Sequence, residues 1–166
     1  ASQIIYMAFS GGWQYFSFST MQDEDQVSLT SKVFEYLGIS SFTIFLLLLP
    51  FNEMLFNYLF KGNFRLGYQV FPYLFLAPLI LMLFQTLNNQ LIIIKKGYII
   101  TVILSLVVLL NFFMTYFFTL YFGIKGSALA TLSGYFIAVA LILIYLKQNK
   151  LIEVNLRFII CTFITL

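Results

Sequence analysis

Three sets of side chains in this chain are of types and spacings that could do chemistry. Gln85, Asn88 and Asn89 stand at i, i+3 and i+4, a spacing that puts them on one helical face. Asn111, Thr115 and Thr119 recur every four residues. Trp13, Gln14 and Tyr15 follow the glycine pair Gly11-Gly12. Amides and hydroxyls both donate and accept hydrogen bonds, so the chemistry on offer is recognition of polar groups rather than bond cleavage. The chain has no histidine, and its one cysteine is Cys161. A Ser-His-Asp triad, a Cys/His metal cluster and an intrachain disulfide are therefore all excluded. No nucleophile–base pair, phosphate-cradling loop or metal-ligand spacing is present, and no cofactor is expected. The sequence offers no nucleic-acid partner either.

The surroundings of these polar residues are apolar. The sequence is 61% hydrophobic and 9% charged over 166 residues. Soluble domains carry about 25% charged residues, so too few charges are present to cover a soluble surface of this size. The composition points to an integral membrane protein. Aromatic residues make up 20% of the chain, with 21 Phe and 11 Tyr, which suits lipid-facing helices and interfacial belts.

Charged and turn residues cut the chain into apolar blocks, and a spanning helix needs about 20 residues. The expected spans are 1–20, 31–60, 68–94, 98–122, 126–146 and 155–166. These make about five spans plus a truncated sixth. β-barrel strands would be about 9–11 residues long and alternate in polarity. The blocks do neither, so the expected fold is all-α, a polytopic transmembrane bundle forming one domain. Pro50 and Pro78 should kink their helices, and Pro72 should sit in a first turn. The first residues lack a starting Met and the last stop inside an apolar run. The expectation is a piece of a longer membrane protein.

Between 123 and 134 the chain reads GIKGSALATLSG. A glycine-flanked turn opens a helix on which Gly126, Ala130, Gly134 and Ala138 fall on one face. Small residues so spaced let a second helix approach closely in lipid, so this stripe is expected to be a helix-packing seam. The polar sets have an equally plain reading, since a lone Asn or Gln in a span often serves as interhelical glue. That reading suits Asn111, Thr115 and Thr119 best. Three long amides on the Gln85 face exceed what helix pairing needs. Glu53 is expected near the outer interface, and Asp23-Glu24-Asp25 in a solvated loop.

Alternate loops share a side of the membrane, and cytoplasmic loops carry excess Lys and Arg. Loops after the first, third and fifth blocks hold Lys32, Lys95, Lys96, Lys147, Lys150 and Arg157. The others hold Lys61, Arg65 and Lys125. The richer set is expected in the cytoplasm and the 123–126 turn outside.

Taken in order, WQYFSFS-x-x-QDED, SKVFEYLG, LPFNEMLFNYLF, YQVFPYLFLAPL, LNNQLIIIKKGYII and FGIKGSALATLSGY resemble the C-terminal half of polysaccharide-export flippases. These are the O-antigen and capsule repeat-unit translocases of the multidrug/oligosaccharidyl-lipid/polysaccharide flippase superfamily. The KKG turn and the FGIKGSALAT helix start carry most of the resemblance, which runs through nearly the whole chain. Tyr15 departs from it, standing where such sequences often have Pro after Trp-Gln. The resemblance implies one lobe of a two-lobe bundle in the inner (cytoplasmic) membrane, with no enzymatic activity. Its cargo would be a polyprenyl-pyrophosphate-linked oligosaccharide, its further partners the N-terminal lobe and other polysaccharide-assembly membrane proteins. Gln14, Gln85, Asn88, Asn89 and Asn111 would be the candidates for lining the cavity. Basic residues within the spans are absent, so any protein partner of the pyrophosphate would lie in the other half. A multidrug cation antiporter of the same superfamily should carry acidic residues deep in its spans, and none is evident in this sequence. A membrane polysaccharide polymerase should show a large outer loop with charged catalytic residues.

Overall fold

One helix contributes more fully buried side chains than any other among the described residues. In a computed structural model, which describes residues 2–23, 25–59 and 67–153, six helices follow in order. They are α1 (Ser2–Ser19), α2 (Gln26–Leu48), α3 (Asn52–Leu59), α4 (Phe71–Ile93), α5 (Gly97–Phe122) and α6 (Ile124–Gln148). There is no strand among the described residues. Residues 67–69 form a single 3₁₀ turn. Of these helices α2, α4, α5 and α6 are long and apolar enough to cross a membrane, which marks the chain as a multi-pass membrane protein. The sixth expected block, with Cys161 and Arg157, and the basic residues Lys61 and Arg65 lie outside the described residues.

Helix α4 is the hub, touching α1, α2, α5 and α6. It buries twelve residues along its length, among them Leu76, Ile80, Leu87 and Leu91 at 0% exposure. From α2, Phe34 and Phe42 join this core, and from α6 so do Val139, Ile142 and Leu146. The Phe42 and Phe136 rings stack at 6.3 Å, closing α2 onto α6. Helix α5 is the opposite case. It is the most apolar of the four candidate spans and buries only Val107. An apolar helix exposed along its length is a lipid-facing helix. Exposed Tyr98 and Tyr121 stand near its two ends, about 35 Å apart along the axis. That separation matches a hydrocarbon core of about 30 Å with interfacial tyrosines at either edge.

The expected long block 31–60 is divided. Helix α2 begins earlier, at Gln26, and stops at Leu48, and α3 starts at Asn52. Pro50 therefore sits in a turn between two helices instead of kinking one. The turn closes with Phe51 N–H on the Leu48 carbonyl at 3.2 Å and Asn52 N–H on Leu49 at 3.3 Å. Helix α4, by contrast, runs continuously through Pro78, with Pro72 in its first turn as expected. Glu53 is exposed in the first turn of α3.

One end of the bundle gathers the α1–α2 loop, the α4–α5 turn and the end of α6. Gln26 at the start of α2 bonds Gln90 near the end of α4, and Lys96 after α4 reaches Tyr145 near the end of α6. Thus α4 and α6 run in one direction, α2 and α5 in the other. Lys95, Lys96, Lys147 and Lys150 share this end, and Lys125 lies at the opposite one.

The turn joining α5 to α6 is one residue long. Gly123 closes α5 and opens α6 at φ 60°, ψ −140°, a backbone region that only glycine adopts readily. Gly126, Ala130, Gly134 and Ala138 are all buried on α6. A Cβ on Gly126 would overlap the carbonyl of Phe118, and one on Gly134 would come within 2.5 Å of Asn111 Nδ2. The small-residue stripe is where α5 lies against α6, backbone to backbone at Gly126.

Candidate functional site

The C-terminal half of α4 carries four amides, Gln85, Asn88, Asn89 and Gln90. At 100° per residue Gln85, Asn88 and Asn89 share a face, and Gln90 turns away from it. Gln90 faces α2, where its carbonyl accepts from Gln26 Nε2 at 3.0 Å and its Nε2 donates to Gln26 Oε1 at 3.2 Å. Thr30 Oγ1 adds a bond to Gln90 Oε1 at 3.4 Å, and Gln90 Nε2 also reaches the Leu151 carbonyl at 3.4 Å. Beside this knot, Glu153 N–H donates to Ser31 Oγ at 2.8 Å, and the hydroxyl donates in turn to the Val27 carbonyl at 2.6 Å. All four side chains, Gln26, Thr30, Ser31 and Gln90, are buried. This knot is structural: it fastens the start of α2 and the segment after α6 to the end of the hub helix.

Gln85, Asn88 and Asn89 are not consumed in this way. Gln85 Nε2 donates to Asn89 Oδ1 at 3.3 Å, the bond expected between residues four apart. Asn89 is 1% exposed, yet its Nδ2 has no partner, and neither does the buried Oδ1 of Asn88. On α1, which also lies against α4, Trp13 is buried with its indole N–H unpartnered. Buried polar atoms are almost always satisfied, so unsatisfied ones in a native structure call for an unseen water, ion or ligand group. Gln85 and Asn88 are half-buried, so this row of amides borders accessible space.

The remaining candidates lie elsewhere. Gln14 is exposed on α1, beside the stripe of buried Trp13 and Ser17, in a shallow surface groove with Gly11, Tyr15 and Phe18. Asn111 sits between α5 and α6. Its Oδ1 accepts from Thr115 Oγ1 at 2.9 Å and its Nδ2 donates to the Ala130 carbonyl at 3.5 Å. It also lines a cleft of about 430 Å³ between α4, α5 and α6, walled otherwise by side chains such as Leu81, Phe84 and Tyr135. Asn111 and Thr115 thus fill the role of glue between two helices, and Thr119 is exposed. The structure joins Gln85 to Asn89 and sets Gln14 and Asn111 apart from them.

Sequence reasoning passed over Gln90 and Gln26. Gln90 directly follows the Asn pair, so only the 100° step separates a helix-fastening amide from an unfastened one. Gln26 lay outside the expected span, although the acidic run before it is a helix-start signal. Glu35 was passed over too. Helix α2 begins at Gln26, so Glu35 lies about 14 Å along the axis of a candidate span, half-buried.

Among the described residues, no group of three His, Cys, Asp or Glu could hold a metal ion. The polar groups that the amide row offers are neutral amides. Comparison with family models, with curated proteins and with solved structures gave no match.

Proposed function

We propose that this chain is one lobe of a flippase that carries polyprenyl-pyrophosphate-linked oligosaccharide repeat units across the inner (cytoplasmic) membrane for surface polysaccharide assembly. The observation that carries the reading is the amide row of α4. Gln85, Asn88 and Asn89 stand on the hub helix of an apolar bundle, and two of their buried polar atoms lack protein partners. A head group rich in hydroxyls crossing a bilayer needs donors and acceptors that are not already engaged in holding helices together. The sequence resemblance points to the same cargo. Transport in this reading is not enzymatic and needs no cofactor. The N-terminal lobe would supply the opposite wall of the cavity and the basic partner of the pyrophosphate. Other polysaccharide-assembly membrane proteins would work alongside it.

The test is replacement of the amides in the full chain. Gln85→Leu and Asn89→Leu should lower polysaccharide export by about tenfold, as expected for losing hydrogen bonds to a polar cargo, while membrane abundance is retained. Lipid-linked precursor should accumulate. Normal export in both variants sinks the reading.

A second reading, a cation antiporter of the same superfamily, draws support from Glu35, since carboxylates within spans are typical of ion-coupled sites. Glu35→Gln separates the two. Loss of cation-driven drug efflux in this variant favours the antiporter, and unchanged polysaccharide export with no drug efflux in the native protein favours the flippase.

A further inference from the structure

Helices α4 and α6 lie side by side and finish at the same end of the bundle, and they finish in the same way. After α4, Lys95 N–H bonds the Ile92 carbonyl and Lys96 N–H bonds that of Leu91, both at 2.9 Å. After α6, Lys150 N–H bonds the Lys147 carbonyl at 3.1 Å and Leu151 N–H that of Leu146 at 2.9 Å. Both are Schellman endings, whose left-handed position ordinarily belongs to glycine. Here it belongs to Lys95 (φ 59°) and Lys150 (φ 56°), the only non-glycine residues with positive φ among those described. A side chain in that conformation is disfavoured by the crowding of its Cβ. Attraction between an ammonium group and a helix C-terminus returns only part of that cost. The remainder is incurred twice at one place.

We infer that Lys95, Lys96, Lys147 and Lys150 form a headgroup site for anionic phospholipids at this end of the bundle. Lys96 ties the two helix ends together, its Nζ 3.5 Å from Tyr145 Oη and 6.0 Å from the centre of that ring. Lys95, Lys147 and Lys150 are exposed around it. Lys95, Lys96 and Lys150 follow a membrane-crossing helix and Lys147 lies in the last turn of one, which places their ammonium groups at the depth of lipid phosphates. The turn N–H groups already hold helix carbonyls, so the anion is held by ammonium groups alone, as compact point charges. Carboxylates at this end lie towards α2: Asp23 and Asp25 are exposed in the α1–α2 loop, and Glu153 is exposed where its N–H meets Ser31. The basic side continues into α5, which starts at Gly97 and is exposed and apolar. A surface that is cationic at its rim and apolar directly beneath matches a phospholipid, head and tails together, rather than a soluble anion.

The test uses the purified full chain and measures retained phosphatidylglycerol against phosphatidylcholine by native mass spectrometry. The native chain should prefer phosphatidylglycerol. Lys95→Gly and Lys150→Gly each relieve the backbone, so the variants fold, yet each should lower that preference about fivefold. Raising salt to about 1 M, where screening acts within about 3 Å, should abolish it. Lys125→Gln, at the opposite end, should leave it unchanged. A native chain with no preference, glycine variants that bind like the native chain, or displacement by millimolar inorganic phosphate would overturn the inference.

Discussion

Asn89 and Gln90 are adjacent on α4 and almost equally buried, but their amides are used differently. Gln90 spans the gap to α2 through a reciprocal pair with Gln26, while Asn89 keeps an unpartnered Nδ2. An unpaired buried group costs about 1–3 kcal/mol, whereas removing both partners together can be nearly neutral. Gln90→Leu should therefore lower stability by about 1–3 kcal/mol, because it strands the Gln26 amide. The double variant Gln26→Leu/Gln90→Leu should cost clearly less than the sum of its two singles. Thermal unfolding in detergent, arranged as a double-mutant cycle, checks this, and strict additivity would show that the pair carries no coupling. At this scale the sequence displayed which side chains were polar but not which were engaged. The amide types were legible, and so was the shared face of Gln85 and Asn89. That Asn111 meets both α6 and a cleft could not be read from its own helix, because Gly134 and Ala130 belong to a different one.

At the scale of elements, two kinds of helix contact hold the bundle. Around α4, branched and aromatic side chains interdigitate. Between α5 and α6, the absence of side chains lets backbones meet. The second kind is the more brittle, because a backbone carbonyl cannot swing aside as a side chain can. Gly126→Ala should cost about 1–3 kcal/mol of stability, as overpacking does. Gly134→Ala should cost less, since the Asn111 amide that it meets is the end of a rotatable side chain. Equal melting temperatures for the two variants in detergent would contradict this ranking. The stripe of small residues could be read from spacing alone, because a period of four survives without knowledge of the partner. The centrality of α4 could not be read that way. Composition marks α5 as more apolar than α4, but only tertiary contact shows that α4 is the buried hub and α5 the exposed helix. The break at Pro50 was misjudged as a kink for a related reason: proline signals the loss of one hydrogen bond, not whether the next helix resumes in line.

For the whole molecule, antiparallel alternation places Lys95 and Lys125 at opposite ends. Lys95→Cys and Lys125→Cys, in a chain with Cys161 replaced, should react with a membrane-impermeant thiol reagent from opposite sides. By the excess of basic residues, Lys125→Cys should label from outside intact cells and Lys95→Cys only after permeabilisation. Outside labelling at Lys95→Cys would invert the assignment. The apolar blocks and their order were visible in the sequence because hydrocarbon thickness fixes their length. Start points were less visible, since α2 takes its first turn from the stretch Gln26 to Thr30, where polar and apolar residues alternate.

The single-residue turn at Gly123 bears on how the protein is made. Two helices of 26 and 25 residues joined by one glycine leave no slack for the first to settle in lipid while the second waits in water. The two helices are therefore expected to enter the bilayer together, as a hairpin with Gly123 at its tip. A chain whose turn could not form should fail to insert, whatever its activity.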